Sequence, residues 1–328
     1  MKVSIIIPVY NVSTYIERCI KSVMSQTYQD IECILVNDAT PDDSIAFAER
    51  LIADYIGPIK FQIISHEHNK GLSATRNTGA DAATGDYLYF MDSDDEITPD
   101  CIQKLSSPIL KDSTIEMVEG CYVLITTDNN KIISEQQFPR PQLEFSTPKA
   151  VRDFYFSKKY ANKLAWNKLV KREFFLKNQL YFKTITEEDD FWHFHYNRFL
   201  SHLYIIPNIT YKYYKHVNSL STNSNRKCRV IFGELYAEIA KNLSPGDEIK
   251  EVLHFLDGFS LFYLAGPTTP TYKRVACHFL KILKKNHCFK KWLILKSIVI
   301  LSKLSLTRNL IFKVGNYLKS LKKNGQKS

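Results

Sequence analysis

The sequence predicts an α/β fold: a mainly parallel sheet flanked by helices and followed by a helical C-terminal extension. Short apolar runs alternate with segments of helical periodicity over roughly the first 90 residues, a pattern typical of parallel sheets built through right-handed crossovers. From about residue 226 the periodicity is helical to the end. With 328 residues, 45% of them hydrophobic, the chain can form one large domain or two modest ones.

Each predicted element follows from a local pattern. The run from Val3 to Pro8 is apolar and β-branched, which is typical of a strand buried on both faces. Ile16, Ile20 and Val23 recur at helical spacing and predict the first helix. The same reasoning predicts strands at 31–37, 61–65, 87–91, 116–126 and 205–214, and helices at 44–56, 73–83, 149–177 and 187–200.

Positive charge is concentrated at the C-terminal end of the chain. Residues 258–328 contain 15 lysines and arginines and no acid, whereas the whole chain has a net charge of +10. This asymmetry predicts an anionic surface as partner. The apolar and lysine-rich segment 289–323 is typical of a basic amphipathic helix at a membrane interface. A helical cap with solvated lysines is the alternative. Nucleic acid is not a predicted partner, because the sequence has no known binding motif.

Secretion signals and spanning segments are not predicted. The seven cysteines lack zinc-site spacing, so reduced thiols in the cytosol are expected. The N-terminal apolar run is too short for a signal peptide, and no run reaches the length of about 18 apolar residues that a spanning helix needs. We therefore expect a cytoplasmic protein, held peripherally at the inner face of the cell membrane by its basic C-terminal helices.

Polar residues gather where the predicted strands end, at the edge where parallel sheets bind ligands. Asp92 and Asp94 follow the fourth strand and could hold one Mg²⁺ or Mn²⁺, although turn chemistry alone also explains such a motif. Asp38 follows the second strand and could bind a nucleotide or cap the next loop.

Two further groups bear on chemistry. Arg76 lies in the predicted helix 73–83, which follows Gly71. It could bind a phosphate or a carboxylate, or it could simply be solvated. The acidic residues 187–190 precede Phe191 and Trp192, and a carboxylate beside aromatic rings can act as a general base. An acidic helix start is the alternative. Dinucleotide-binding and P-loop glycine motifs are missing from the sequence, which argues against those two classes.

Taken together, these segments resemble the family-2 glycosyltransferases. The matching blocks are VSIIIPVYN at 3–11, ILVNDATPDDS at 34–44, NKGLSATRNTGADAATGDYLYFMDSDD at 69–95, WNKLVKREFF at 166–175 and the acidic cluster at 187–190. The resemblance implies an A-type glycosyltransferase fold. It also implies transfer of a sugar from a UDP-sugar to a lipid-linked or growing surface glycan, with inversion at the anomeric carbon.

The resemblance assigns the nucleotide contacts residue by residue. Pro8, Tyr10 and Asp38 would contact the nucleotide, usually uridine. Arg76 would line the donor pocket. The turn after the second strand usually contains Gly-Ser in this family, and here Ala39-Thr40-Pro41 stands in its place.

The resemblance also assigns the metal ligands and the base. Asp92 would approach the ribose or the sugar and, with Asp94, hold Mn²⁺ or Mg²⁺ on the diphosphate. Glu188 and Asp189 give the best register for the base, and Asp189 is the candidate.

The implied organisation is a glycosyltransferase domain over 1–225 and a basic, membrane-associating helical region over 226–328. Within the domain, 1–98 would bind the nucleotide sugar and 99–225 the acceptor. Two rival functions are weighed against this one. A nucleotidyltransferase should carry a glycine-rich basic loop after the first strand, which the sequence lacks. A non-catalytic binding module should have lost the metal or base acids, which the sequence retains.

Overall fold

The computed structural model describes residues 1–128, 131–156, 162–185, 188–216, 228–243, 249, 251–256, 259 and 270–303. The chain divides into two compact units. The first comprises Met1–Thr184 and Glu188–Asn223, and the second Ile185–Glu187 and Ser224–Ser328. The functional boundaries assigned from the sequence, at residues 98 and 225, stay predictions.

The first half of the sheet is parallel, as the sequence predicts. Strands β1 (Val3–Val9), β2 (Ile31–Asn37), β3 (Lys60–Ser65) and β4 (Tyr87–Phe90) lie in the order β3-β2-β1-β4. They are connected by α1 (Ile16–Met24), α2 (Ser44–Ala53) and α3 (Leu72–Ala82). Every residue of β1 is buried, which explains why its sequence is a continuous apolar run.

The second half of the sheet is mixed. After β4 it continues through β9 (Lys168–Lys171), β6 (Met117–Asp128), β10 (Leu203–His216) and β5 (Glu96–Ile97). β9 runs antiparallel to both β4 and β6, whereas β10 runs parallel to β6. β7 (Lys131–Phe138) pairs with β6, and β8 (Leu143–Phe145) pairs with β10. The predicted fold class, an α/β sheet flanked by helices, is confirmed.

The helix predicted over residues 149–177 is wrong in part. The structure has α5 (Pro148–Phe156), the strand β9 and α6 (Arg172–Lys177), and residues 157–161 lie outside the described part. Leu169 and Val170 of β9 are fully buried, and backbone bonds to strands on both sides hold them. Pairing inside the sheet therefore overrides the local helical pattern.

Helices cover both faces of the sheet in the first unit. Side chains of α1 and α4 (Cys101–Lys111) pack with Ile5 and Ile7 of β1 in one core. Ile6 points to the other face and packs in a second core with α3, α5, α6 and α7 (Glu188–Tyr196). This alternation along β1 assigns successive side chains to the two cores on opposite faces of the sheet.

The second unit contains α8 (Cys228–Lys241), α9 (Pro270–Lys285) and α10 (Phe289–Lys303). In α9 the buried apolar residues lie on one face, and the lysines are exposed. The amphipathic pattern predicted for 289–323 stays a prediction, because α10 is the described part of that segment. Residues 304–323 lie outside the described part. None of the described helices is both long and apolar enough to cross a membrane.

Candidate active site

The loops at the carboxyl edge of the parallel strands bring the predicted donor-side residues together. The register pairs Val9 with Asn37 and Asn37 with Ser65, and the N–H of Met91 bonds to Ile6. β1, β2, β3 and β4 therefore end at one edge, which carries Tyr10, Asp38, His66 and Asp92. Tyr10 is 44% exposed there, and Pro8 lies buried in β1.

Asp38 is held by the loop that leads into α3. Its carboxylate accepts the backbone N–H groups of Lys70 and Gly71, both at 2.8 Å, and lies 2.7 Å from Nδ1 of His66. Burial alone would raise the pKa of Asp38, but these hydrogen bonds outweigh burial and lower the pKa below its ordinary value. Asp38 thus stays ionised and fixes the N-terminal end of α3. Its predicted nucleotide contact stays a prediction.

The turn after β2 keeps the backbone that a glycine would favour. Ala39 adopts a left-handed φ of 53°, a conformation that costs an L-residue about 1–2 kcal/mol. Asp42 secures the turn: its carboxylate accepts the hydroxyl groups of Thr40 and Ser44 and the N–H of Ser13. The sequence reasoning did not select Asp42, although an Asp side chain in a turn commonly accepts the backbone N–H two residues on, as Asp42 does from Ser44.

Arg76 connects the loop after β4 to the start of α7. Its Nη2 donates to the Asp92 carboxylate at 2.9 Å. Its Nη1 donates to Glu188 at 3.0 Å and to Asp189 at 2.9 Å. The Arg76 side chain is almost fully buried, while the side chains of its carboxylate partners are 18–28% exposed, so water screens these charge-assisted bonds only in part. The structure therefore brings Arg76, Asp92, Glu188 and Asp189 into one cluster. Glu187 lies outside the described residues.

Residues far apart in sequence meet because α3 binds the segment that precedes α7. The Asn77 side chain exchanges two hydrogen bonds of 2.8 Å with the backbone of Phe182. The Ser73 hydroxyl donates to the Lys183 carbonyl at 2.7 Å. On α3, Arg76 lies between Ser73 and Asn77, and it therefore faces the start of α7.

Asp189 has the electrostatic environment of a base that works near neutral pH. Burial raises the pKa of Asp189 to about 7, and the neighbouring Glu188 and Asp92 act in the same direction, against the lowering effect of Arg76. Arg76 does not cancel this shift, because three carboxylates share its one guanidinium and each is only partly compensated. The N–H of Ala165 also bonds to Asp189, whereas Asp190 pairs with Lys163 at 3.1 Å.

Residues 92–95, which we call the aspartate loop, have an excess of negative charge. Burial and the Asp92 carboxylate raise the pKa of Asp94 to about 6. Within the described part of the chain, no other residue donates a hydrogen bond to the Asp94 carboxylate. Asp92 is paired with Arg76, whereas the Asp94 carboxylate has no such partner among the described residues. Carboxylate oxygens are the ligands that Mg²⁺ or Mn²⁺ prefers. The residues present therefore fit a hard divalent cation.

A second group of metal-ligand side chains lies at the opposite edge of the sheet. Donor atoms of Asp112, Glu144 and His202 lie within 4.8 Å of one another. His202 directly precedes β10, which starts beside the start of β6. Both His202 nitrogens already have partners, since Thr114 Oγ1 and Glu144 each lie 3.0 Å away. Because the group lies at the opposite edge of the sheet, it is separate from the aspartate loop.

A buried charged cluster in β6 was missed by the sequence reasoning. Glu119 is fully buried and bonds to Arg140 at 2.6 Å and to the Tyr155 hydroxyl at 2.7 Å. Lys168 is also fully buried, 3.9 Å from Glu119. The available signal was a lone acid inside the apolar run MVEGCYV. A buried acid of this kind needs a basic partner.

Fold and site together define an enzyme of the glycosyltransferase class. The chain belongs to the glycosyl transferase family 2, whose family model matches residues 4–176. It is 31% identical over 269 residues to EpsH of Bacillus subtilis (strain 168), which is named as a glycosyltransferase. That match covers 80% of this chain and 74% of EpsH. The sequence-based assignment to this family is confirmed.

Solved structures share the fold at low sequence identity. S. aureus TarS 1–349 in complex with UDP-GlcNAc superposes with a TM-score of 0.60 at 18% identity, covering 91% of this chain and 90% of TarS 1–349. The mannosyltransferase PcManGT of Pyrobaculum calidifontis, in complex with GDP-Man and Mn²⁺, gives a TM-score of 0.56 at 17% identity and covers 93% and 86%. These likenesses support the A-type glycosyltransferase fold.

Proposed function

We propose that this glycosyltransferase inverts the anomeric centre while moving a sugar from a UDP-sugar to a lipid-linked or growing surface glycan. The observation that carries the proposal is the Arg76 cluster. It holds a carboxylate with a pKa near 7, Asp189, beside the aspartate loop. The UDP-GlcNAc complex of TarS supports a uridine donor, although PcManGT binds GDP-Man.

In the proposed reaction, the acceptor hydroxyl oxygen attacks the anomeric carbon from the face opposite the diphosphate. Asp189 takes the hydroxyl proton as the new carbon–oxygen bond forms. The bond between the anomeric carbon and the diphosphate breaks, and the nucleoside diphosphate leaves with the electron pair. One displacement inverts the configuration and needs no enzyme nucleophile. Arg76 keeps Asp189 and Asp92 in register throughout.

Asp92 and Asp94 are the residues that would hold Mn²⁺ or Mg²⁺. Such an ion would offset the charge that develops on the leaving diphosphate. The raised pKa of Asp94 supports this role, because a carboxylate destabilised by burial and by a neighbouring acid gains from a cation. Asp38, Pro8 and Tyr10 stay the proposed nucleotide contacts.

The direct test is release of nucleoside diphosphate from a panel of UDP- and GDP-sugars with Mn²⁺ and candidate glycan acceptors. We expect release with one donor, loss of release on chelation, and a product whose anomeric configuration is opposite to that of the donor. Retention of configuration would refute the single displacement. If the protein neither turns over a donor nor binds UDP or GDP in calorimetry, the proposed function is refuted.

Asp94→Ala should lower Mn²⁺-dependent turnover about a hundredfold or more, because a metal's stabilisation of the leaving group is worth several kcal/mol. The fold should persist, since no other described residue loses a hydrogen bond to this carboxylate. The matched control is Glu144→Gln, which alters the ligand group at the opposite edge. Turnover should be unchanged in Glu144→Gln. The opposite ranking of the two variants would move the metal away from the aspartate loop.

Membrane association is the proposed role of the C-terminal helices, and it would place the enzyme at the inner face of the cell membrane. The exposed lysines of α9 support it, since polybasic surfaces gain about 1 kcal/mol per charge near anionic lipid. Neutralising four of them should weaken binding to phosphatidylserine-containing vesicles at least tenfold in a sedimentation assay: Lys273, Lys281, Lys284 and Lys285, each to Gln.

The control for that experiment removes four exposed lysines from the first unit: Lys60, Lys111, Lys131 and Lys149, each to Gln. The net charge falls equally in both variants, so a general electrostatic effect would weaken both alike. Equal weakening, or vesicle binding that survives in the α9 variant, would assign the contact elsewhere.

A further inference from the structure

The Tyr211 hydroxyl touches both ends of the aspartate loop. It donates to the Asp95 carboxylate at 2.7 Å and accepts the backbone N–H of Asp92 at 3.2 Å. The same Asp95 carboxylate accepts the N–H of Tyr214 at 2.7 Å. Asp95 is fully buried, so the polar atoms of its carboxyl group need these hydrogen-bond partners. One hydroxyl therefore fixes the entry and the exit of a four-residue loop.

The Tyr211 ring is itself held in place. It is fully buried and stacks on the Trp166 indole, with ring centroids 4.4 Å apart and planes 4° from parallel. Tyr122 meets the same indole edge-on at 5.0 Å. A ring packed in this way loses little freedom when its hydroxyl bonds to the loop, so its position is set before any ligand arrives.

An irregularity in β10 aims Tyr211 at the loop. Against β6, Ile209 pairs with Cys121 and Tyr211 pairs with Tyr122, so one residue of β10, Thr210, is left over. Such bulges turn the following side chain. The Thr210 hydroxyl donates to Asn167 at 2.7 Å, and the Thr210 carbonyl accepts the N–H of Thr98 just beyond the loop. The bulge is therefore anchored on both sides.

A further contact holds the middle of the loop. Arg18 of α1 donates to the Asp94 carbonyl and stacks over the Tyr214 ring, with its guanidinium carbon 3.7 Å from the ring centroid. Arg18 also pairs with Glu96 at 3.3 Å. Residues of β10 and α1 thus bind the backbone of the loop. These contacts do not involve the Asp94 carboxylate, which stays available to a ligand.

We propose that Tyr211 is a positioning residue, which acts through Asp95 and the Asp92 N–H to hold Asp92 and Asp94 in the geometry that binds a divalent cation with a nucleoside diphosphate. This inference rests on the proposed function. Partners that orient metal ligands in this way typically change metal affinity by about 10–100-fold when they are removed. Tyr211 makes no direct contact with the reacting atoms in this role.

Tyr211→Phe is the decisive variant, because it keeps the stacked ring and removes only the hydroxyl. Calorimetric titration of UDP, and separately GDP, at graded MnCl₂ should show half-saturation at a Mn²⁺ concentration about 10–100-fold higher than in the unmodified chain. Hydrogen exchange at the amides of residues 92–95 should also accelerate. Trp166→Phe, which weakens the stack but keeps the hydroxyl, should give a smaller change of the same sign.

The control is Tyr87→Phe. Tyr87 is 3% exposed and donates to the Ile115 carbonyl at 2.7 Å, at the opposite end of β4. It should leave the Mn²⁺ dependence unchanged. Equal weakening in Tyr87→Phe would mean general destabilisation and would overturn the proposal, as would unchanged Mn²⁺ dependence in Tyr211→Phe. If the unmodified chain binds neither nucleotide with Mn²⁺, the proposed function fails, and this inference falls with it.

Discussion

Asp189→Asn should lower kcat/KM for sugar transfer by about 10²–10⁴-fold, the range that a positioned general base contributes. The amide keeps an oxygen that can accept the bonds from Arg76 and Ala165, so the fold and donor binding should persist. Only the capacity to take the acceptor proton is lost. Steady-state rates, together with UDP affinity measured by calorimetry, separate loss of chemistry from loss of binding.

Two neighbouring variants make this result specific. Asp190→Asn should retain most activity, because the Asp190 carboxylate pairs with Lys163 and not with Arg76. Glu188→Gln should have a smaller effect than Asp189→Asn. If Glu188→Gln gives the larger loss, the base is Glu188 and the predicted register is off by one residue.

The same assignment fixes the sign of the pH dependence. A base with a pKa of about 7 is ionised above that value, so kcat/KM should fall about tenfold per pH unit below it. Asp189→Asn should abolish this acid limb in the residual activity. A limb that survives the substitution would have to be assigned to another group.

The donor-side part of the site could be predicted from the sequence because it depends on local order. Strand, turn and helix follow one another, and parallel pairing then places Asp38 and Asp92 at one edge whatever the rest of the chain does. Family resemblance added roles to positions that periodicity had already placed.

The contact between the donor-side residues and the start of α7 could not be predicted in this way. Arg76 meets Asp189 across 113 positions, and that contact depends on side-chain bonds from α3 to Phe182 and Lys183. Likewise, β9 lies inside a segment with helical periodicity, because two neighbouring strands supply its hydrogen bonds. The orientation of Tyr211 depends on a bulge in β10. Periodicity carries no information about such contacts.

Arg76→Gln should be the most destabilising of the substitutions considered. Removing the cation leaves the carboxylates of Asp92, Glu188 and Asp189 without their shared partner. Breaking a buried ion pair from one side costs about 3–5 kcal/mol, which denaturant unfolding can measure. Lys163→Gln is the control. It removes a partly exposed cation that pairs with Asp190 in the first turn of α7, and it should cost less than about 1 kcal/mol.

The pH dependence of the Arg76→Gln penalty distinguishes electrostatics from packing. Arg76 lowers the pKa of Asp189, so it stabilises the ionised form, and its contribution is present where these carboxylates are charged. The stability difference from the unmodified chain should therefore be largest at pH 8 and shrink towards pH 5 as Asp189 takes up its proton. For the same reason, the acid limb of any residual activity should move to higher pH. A penalty that is equal at both pH values would show that Arg76 acts by packing and not by charge.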